Sequence, residues 1–262
     1  MKRSKNIFVR LILNLGKKYL PKRIYSLILF IRNYKKFKRE INKKKSYIKY
    51  SKNLDKINDF EYKITSQNNE DGIIDYIFSK IPNKKNFVEI GFSFYEFNSL
   101  NLIKKGWKGK LIDIDEDECL SLKRLLSYFY SNSKVEIINK KVLKDNINDL
   151  VNSRQNNYQI DFFSLDIDGN DYWVLKELNL KNINVICCEF NNYIGNNVKK
   201  TIPYNPNHQF KNDGCNGASL GALTELLESK GFSLIAVESS GTNAFFLKNE
   251  MTQDFEIDDL DY

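Results

Sequence analysis

The sequence predicts an α/β fold: a mainly parallel, seven-stranded sheet with helices on both faces and a C-terminal antiparallel hairpin. Three observations predict it. From about residue 66, short hydrophobic runs alternate with segments of helical period, the pattern of right-handed βαβ units. Two of those runs, 159–171 and 184–191, end in carboxylates, and in an open α/β sheet the strand tips border the ligand crevice. The last two runs are joined only by Ser239-Ser240-Gly241-Thr242, which suits a hairpin.

Along the chain, Ile73, Ile74, Ile77, Phe78 and Ile81 recur at helical spacing, with Ser66 as a capping residue before them and Pro82 as the stop. Residues 86–91 read as a strand running into a glycine turn, 94–105 as a helix closed by Gly106, and 110–115 as a second strand. A helix over 116–129 turns Cys119, Leu122, Leu125, Leu126 and Phe129 inward. A third strand at 135–138, a short helix at 147–151, a fourth strand at 160–167, a helix at 172–178 and a fifth strand at 185–190 follow. A helix over 218–230 precedes the hairpin strands 232–237 and 244–247.

Charge divides the chain in two: residues 1–50 as a basic amphipathic helical arm and 51–262 as the α/β domain. The arm contains 17 Lys/Arg and one acid, Glu40, whereas residues 250–262 hold six acids and no base. Within it, Ile7, Phe8, Leu11, Ile12, Leu15, Tyr19 and Leu20, then Ile24, Leu27, Ile28, Ile31, Tyr34 and Phe37, fall at helical spacing. Its longest apolar run is too short to span a bilayer, which needs about 20 residues. The expected partner of residues 1–45 is an anionic membrane surface, on the cytoplasmic face; the plainer alternative is a helical pair packed on its own domain. Nucleic acid is not expected, because the aromatics lie on the apolar face rather than forming a stacking platform. The four cysteines match neither a zinc spacing nor a disulfide framework, which suits a reducing compartment. Cys187 and Cys188, adjacent on a strand, point to opposite faces.

Asp166, Asp168 and Glu189 are expected to line one crevice at the strand tips. A carboxylate there could act as a general base, and the three together, with Asn170 or Asn191, could hold a divalent cation. Asp171 reads instead as a favourable acid at a helix N-terminus. His208 lies in a long loop, 195–217, expected to cover an acceptor pocket. Tyr193, Tyr204 and Trp173 read as packing or loop anchors before sugar-stacking groups.

From about 66 to 248 the chain resembles FkbM-type and related class I S-adenosylmethionine-dependent methyltransferases of bacterial surface-glycan and natural-product clusters. The resemblance lies in Ser66-Gln67 with Glu70-Asp71, Phe87-Val88-Glu89-Ile90-Gly91, Lys105-Gly106-Trp107-Lys108-Gly109, Leu165-Asp166-Ile167-Asp168-Gly169 and Gly241-Thr242-Asn243-Ala244-Phe245-Phe246. It implies a Rossmann-like methyltransferase fold, S-adenosylmethionine as cofactor, and O-methylation of a glycan precursor or related small molecule. It further implies that Gln67, Glu89 and Gly91 belong to the cofactor site, that Asp113 holds the ribose hydroxyls, and that Asp166, Asp168 and Glu189 face cofactor or acceptor. The sequence departs from the family in the turn from Gly91 to Tyr95, which has a single glycine. Either Phe92, Phe94 and Tyr95 fill the cofactor cleft, leaving a non-catalytic binding module of a membrane-associated glycan assembly complex, or the loop takes another path with Glu96 and Asn98 facing the site. A metal-dependent transferase or hydrolase using the same acids is a third reading.

Overall fold

The computed structural model describes residues 13, 15–44, 46–47, 57–152, 158–195, 198–211 and 214–255. Its centre is a seven-stranded sheet: β1 (Asn86–Ile90), β2 (Lys108–Asp113), β3 (Val135–Asn139), β4 (Ile160–Leu165), β5 (Ile183–Glu189), β6 (Phe232–Val237) and β7 (Asn243–Lys248), in the order β3-β2-β1-β4-β5-β7-β6. The first five are parallel, and β7 runs antiparallel to both β5 and β6. This is the Rossmann-like class I methyltransferase arrangement. The order in which strands are added reverses between the parallel neighbours β1 and β4, so the switch point, where such sheets open a crevice, falls at their C-terminal ends.

The helices are α1 (Lys22–Ile41), α2 (Glu70–Lys80), α3 (Leu100–Lys104), α4 (Glu116–Phe129), α5 (Ile147–Val151), α6 (Asp171–Glu177) and α7 (Leu220–Glu228). Two hydrophobic clusters sandwich the sheet. One joins Val88, Ile90, Phe163 and Ile186 to α5, α6 and α7; the other joins Phe87, Phe162, Val185 and Phe245 to α2, α3, α4 and Phe37 of α1. With both faces covered, the central strands are apolar almost throughout, which is why their runs are continuous rather than alternating. Cys188 lies in the first cluster and Cys187 in the second, as the pleat requires.

Several boundaries move. The helix expected over 94–105 is confined to α3, because residues 91–99 form an irregular turn held by side chains. Ser66 does not cap α2, whose N-cap is Asn69; its hydroxyl bonds the buried Asp71 carboxylate instead. Ser219 and Asp115 are true caps, accepting N–H bonds from the first turns of α7 and α4.

Helix α1 lays one face on α4. Tyr25, Leu29, Asn33 and Phe37 are buried along that seam, the Tyr25 hydroxyl donates to Asp117 at 2.7 Å, and Asn33 Nδ2 donates to the Ser121 hydroxyl at 2.9 Å. Ile7, Phe8, Leu11 and Ile12 of the first expected helix lie outside the described residues.

Candidate active site

Three strand tips close on one another at Gly91. Its N–H donates to Ile112 O, and the Asp166 N–H donates to Ile90 O, each at 2.9 Å. Gly91 has φ +78°, and a Cβ there would fall 1.5 Å from the Asp166 carbonyl oxygen. Only glycine allows this approach and this backbone angle.

The turn that follows has almost no glycine, and carboxylates shape it instead. The Phe92 N–H donates to Asp113 at 3.1 Å and the Phe94 N–H to Glu118 at 2.5 Å. The N–H groups of Asn98 and Ser99 donate to Glu89 at 2.9 and 2.8 Å, and the Ser99 hydroxyl joins them. These bonds fix the path of the loop. Phe94 turns into the core cluster that contains Phe37, while Phe92 and Tyr95 form wall rather than plug. Glu96 and Asn98 line the cleft, as in the second of the two loop paths open to the sequence. From α1, Lys36 places its ammonium 2.9 Å from the centre of the Tyr95 ring.

Two adjoining cavities result, of about 370 and 390 Å³. They share Gly91, Asp113, Asp166 and Asp168. The first is polar and includes Gln67, Glu89, Ser164, Glu189 and Asn243. The second adds apolar walls, Ile114 and Val142, and a rim at Asn207 and His208. Asp113 stands between them as the last residue of β2, its two oxygens accepting one N–H each, from Phe92 and from Asp115 at 2.6 Å.

Asp166, Asp168 and Glu189 come together, each offering an oxygen within 4.8 Å of the others. Burial pushes all three carboxyls above the usual range. For Asp166 the neighbouring charges of Asp171 and Asp168 add to this, and for Glu189 those of Asp166 and Asp171. The two carboxyls hydrogen-bond each other, so the pair holds a proton above the usual carboxylate range. Three oxygens at this spacing are also the donor set a hard divalent cation takes.

The turn after β4 gives these acids their direction. Asp168 adopts φ +56°, unusual for a residue with a Cβ. Asp171 accepts the N–H groups of Ile167 and Gly169, each at 2.9 Å, so it caps this turn as its helix-terminal position suggested. The 198–211 segment folds over it. Asn170 exchanges hydrogen bonds with the Asn205 backbone, Trp173 Nε1 donates to Ile202 O at 2.8 Å, and His208 Nε2 lies 3.1 Å from the Asp168 carbonyl, to which it donates. Gly169 leaves room for this contact, since a Cβ would meet the His208 ring at 2.2 Å and displace it. Trp173 is therefore a loop anchor, Tyr193 is exposed, and His208 is held at the mouth of the second cavity.

Of the residues singled out in the sequence, Gln67, Glu89, Gly91, Asp113, Asp166, Asp168 and Glu189 all line the first cavity. Glu89, only 2% exposed, has its carboxylate occupied by the turn, and burial raises it to about 7 against those bonds. Sequence reasoning missed Ser164 and Glu118. Ser164 interrupts an apolar strand run, a signal that was present; Glu118 looks like any acid in a first helical turn, where favourable macrodipole charges are common.

No family model matches the chain, and no curated protein matches it in sequence. Solved structures with a similar chain path include an S-adenosylmethionine-dependent methyltransferase from Clostridium acetobutylicum ATCC 824 (TM-score 0.46, 11% identity, 68% of this chain and 90% of that one). Another is the magnesium protoporphyrin IX methyltransferase of Synechocystis PCC 6803 (0.41, 9%, 87% and 96%). A third is an O-methyltransferase from Bacillus cereus (0.40, 17%, 62% and 72%). At these scores and identities, none of them decides what this site binds.

Proposed function

We propose that the protein is an S-adenosylmethionine-dependent methyltransferase acting on a hydroxyl group of a glycan precursor or related small molecule. The observation that carries this reading is Asp113, held at the strand tip between two adjoining cavities, with the Asp166–Asp168–Glu189 cluster across Gly91. The residues present fit the cofactor. Each Asp113 oxygen accepts only one backbone N–H, which leaves acceptor capacity for two ribose hydroxyls. Ile114 and Val142 offer apolar walls to a flat base, Gln67 and Gly91 border the space for the amino-acid part, and the clustered carboxylates suit a sulfonium charge.

Bound there, the cofactor supplies an electrophilic methyl group. The protein aligns an acceptor and removes its proton. Asp166 shares a hydrogen bond with Glu189 and burial raises it toward neutrality, the condition under which a carboxylate is an effective general base. Fixing the acceptor oxygen in line contributes up to about 7–11 kcal/mol in favourable cases, and the pinned 198–211 segment limits water at the second cavity. The same three acids would hold a divalent cation, which would lower the pKa of a bound hydroxyl.

Calorimetric titration with S-adenosylhomocysteine, with and without Mg²⁺, tests the reading. Wild type is expected to bind. Asp113→Asn should bind about 10–100-fold more weakly, the loss of one or two charge-assisted hydrogen bonds, while melting as a folded domain. Absence of wild-type binding under both conditions would refute the cofactor assignment.

A further inference from the structure

Helix α1 is apolar on two opposite faces. One is the seam on α4 formed by Tyr25, Leu29, Asn33 and Phe37. The other carries Ile24, Leu27 and Ile31, at spacings of three and four residues and 49, 45 and 66% exposed. A helix that only covered its own domain would be polar on this side. Cations border the stripe: Arg23, Lys35 and Lys38 are exposed, whereas Lys17 and Lys22 are paired with Glu116 and Asp117 of α4. Among the described residues, no helix is long and apolar enough to cross a membrane.

We infer that this outer face of α1 docks on the surface of an anionic lipid bilayer. Charge selects the class of partner, because residues 1–50 contain 17 bases and one acid. A second copy would bring two such strongly cationic segments together, which like charges oppose. A nucleic acid would match the charge but offers no apolar medium for two isoleucines and a leucine. A bilayer surface offers both: the boundary with the acyl chains takes the stripe while lipid phosphates take the flanking Lys and Arg. The inner face of the same helix supports the cavity, through Lys36 on Tyr95 and Phe37 in the cluster with Phe94, so docking would present the cleft beside the lipid surface. The inference stands apart from the methyl-transfer reading.

Flotation of the full chain with vesicles tests it. Wild type should float with phosphatidylcholine vesicles containing phosphatidylglycerol, far less with phosphatidylcholine alone, and less as salt rises. The Ile24→Glu/Ile31→Glu variant should partition at least about tenfold more weakly with an unchanged melting temperature; if those glutamates disturb the fold, Ile24→Ser/Ile31→Ser should show the same loss. The inference is overturned if wild type ignores anionic vesicles or if folded variants bind them equally. It is also overturned if light scattering shows a dimer that the substitutions dissociate without vesicle binding, or if the chain binds duplex DNA but not vesicles.

Discussion

The turns that follow β1 and β4 are built from the same material, backbone N–H groups and buried carboxylates, yet they use it differently. After β1, Glu89, Asp113 and Glu118 each accept N–H groups, and their charge is matched by donors fixed in the fold. After β4, Asp171 does the same work, but Asp166, Asp168 and Glu189 face one another. Asp166 accepts one backbone N–H, from Asp168, and Glu189 has another acid, Asp166, as its hydrogen-bond partner. Carboxylates satisfied by the backbone hold shape. Carboxylates satisfied mainly by a shared proton are available to a cation or to an acceptor's hydroxyl. The difference therefore separates structural acids from reactive ones where burial does not, since Asp113 and Glu118 are half-buried like Asp166 and Glu189, and Asp168 is exposed.

Three substitutions probe that distinction, beginning with the largest effect. Glu89→Gln puts an amide N–H₂ against either the Asn98 or the Ser99 donors, and should lower unfolding free energy by about 2–3 kcal/mol in urea titrations. A neutral result would move Glu89 out of the structural set. Glu189→Gln should do the opposite, in a pH-dependent way. In the unfolded chain Asp166 and Glu189 ionise near pH 4, while in the fold burial and mutual repulsion keep a proton bound to higher pH. Between those limits the folded state binds more protons, so stability falls as pH rises through the window. Removing the ionisation should raise the melting temperature by about 2–4 °C at pH 8.5 and leave it unchanged at pH 5. A lower melting temperature at pH 8.5 would place Glu189 with the structural acids. The smallest effect is expected from Lys36→Ala, which removes the ammonium over Tyr95 and should cost about 0.5–1 kcal/mol, read in the same melts.

The sheet was legible because its strands are covered on both faces and so stand out as apolar runs; 147–151 and 232–237 coincide with α5 and β6. The placement of Asp166, Asp168 and Glu189 near one another was legible too, because parallel strands share a tip edge. The path of residues 91–99 was not. It depends on Glu118, which comes from a later helix, and on Phe94 joining the cluster that holds Phe37, 57 residues earlier in the chain. No local period encodes either meeting. Helix α1 shows the same limit. Its basic, amphipathic character was plain, but a second apolar face is visible only once α4 has covered the first.

The cysteines add a consequence of the two-sided core. Cys187 and Cys188 are neighbours in sequence yet lie in separate hydrophobic layers, Cys119 is on the buried face of α4, and Cys215 alone is exposed. An alkylating reagent therefore meets one thiol on the native molecule and four on the unfolded chain. Because the two adjacent sulfurs look out on opposite sides of β5, oxidants cannot join them without tearing the strand from its neighbours, and the native protein carries an internal gauge of its own integrity that needs no added label.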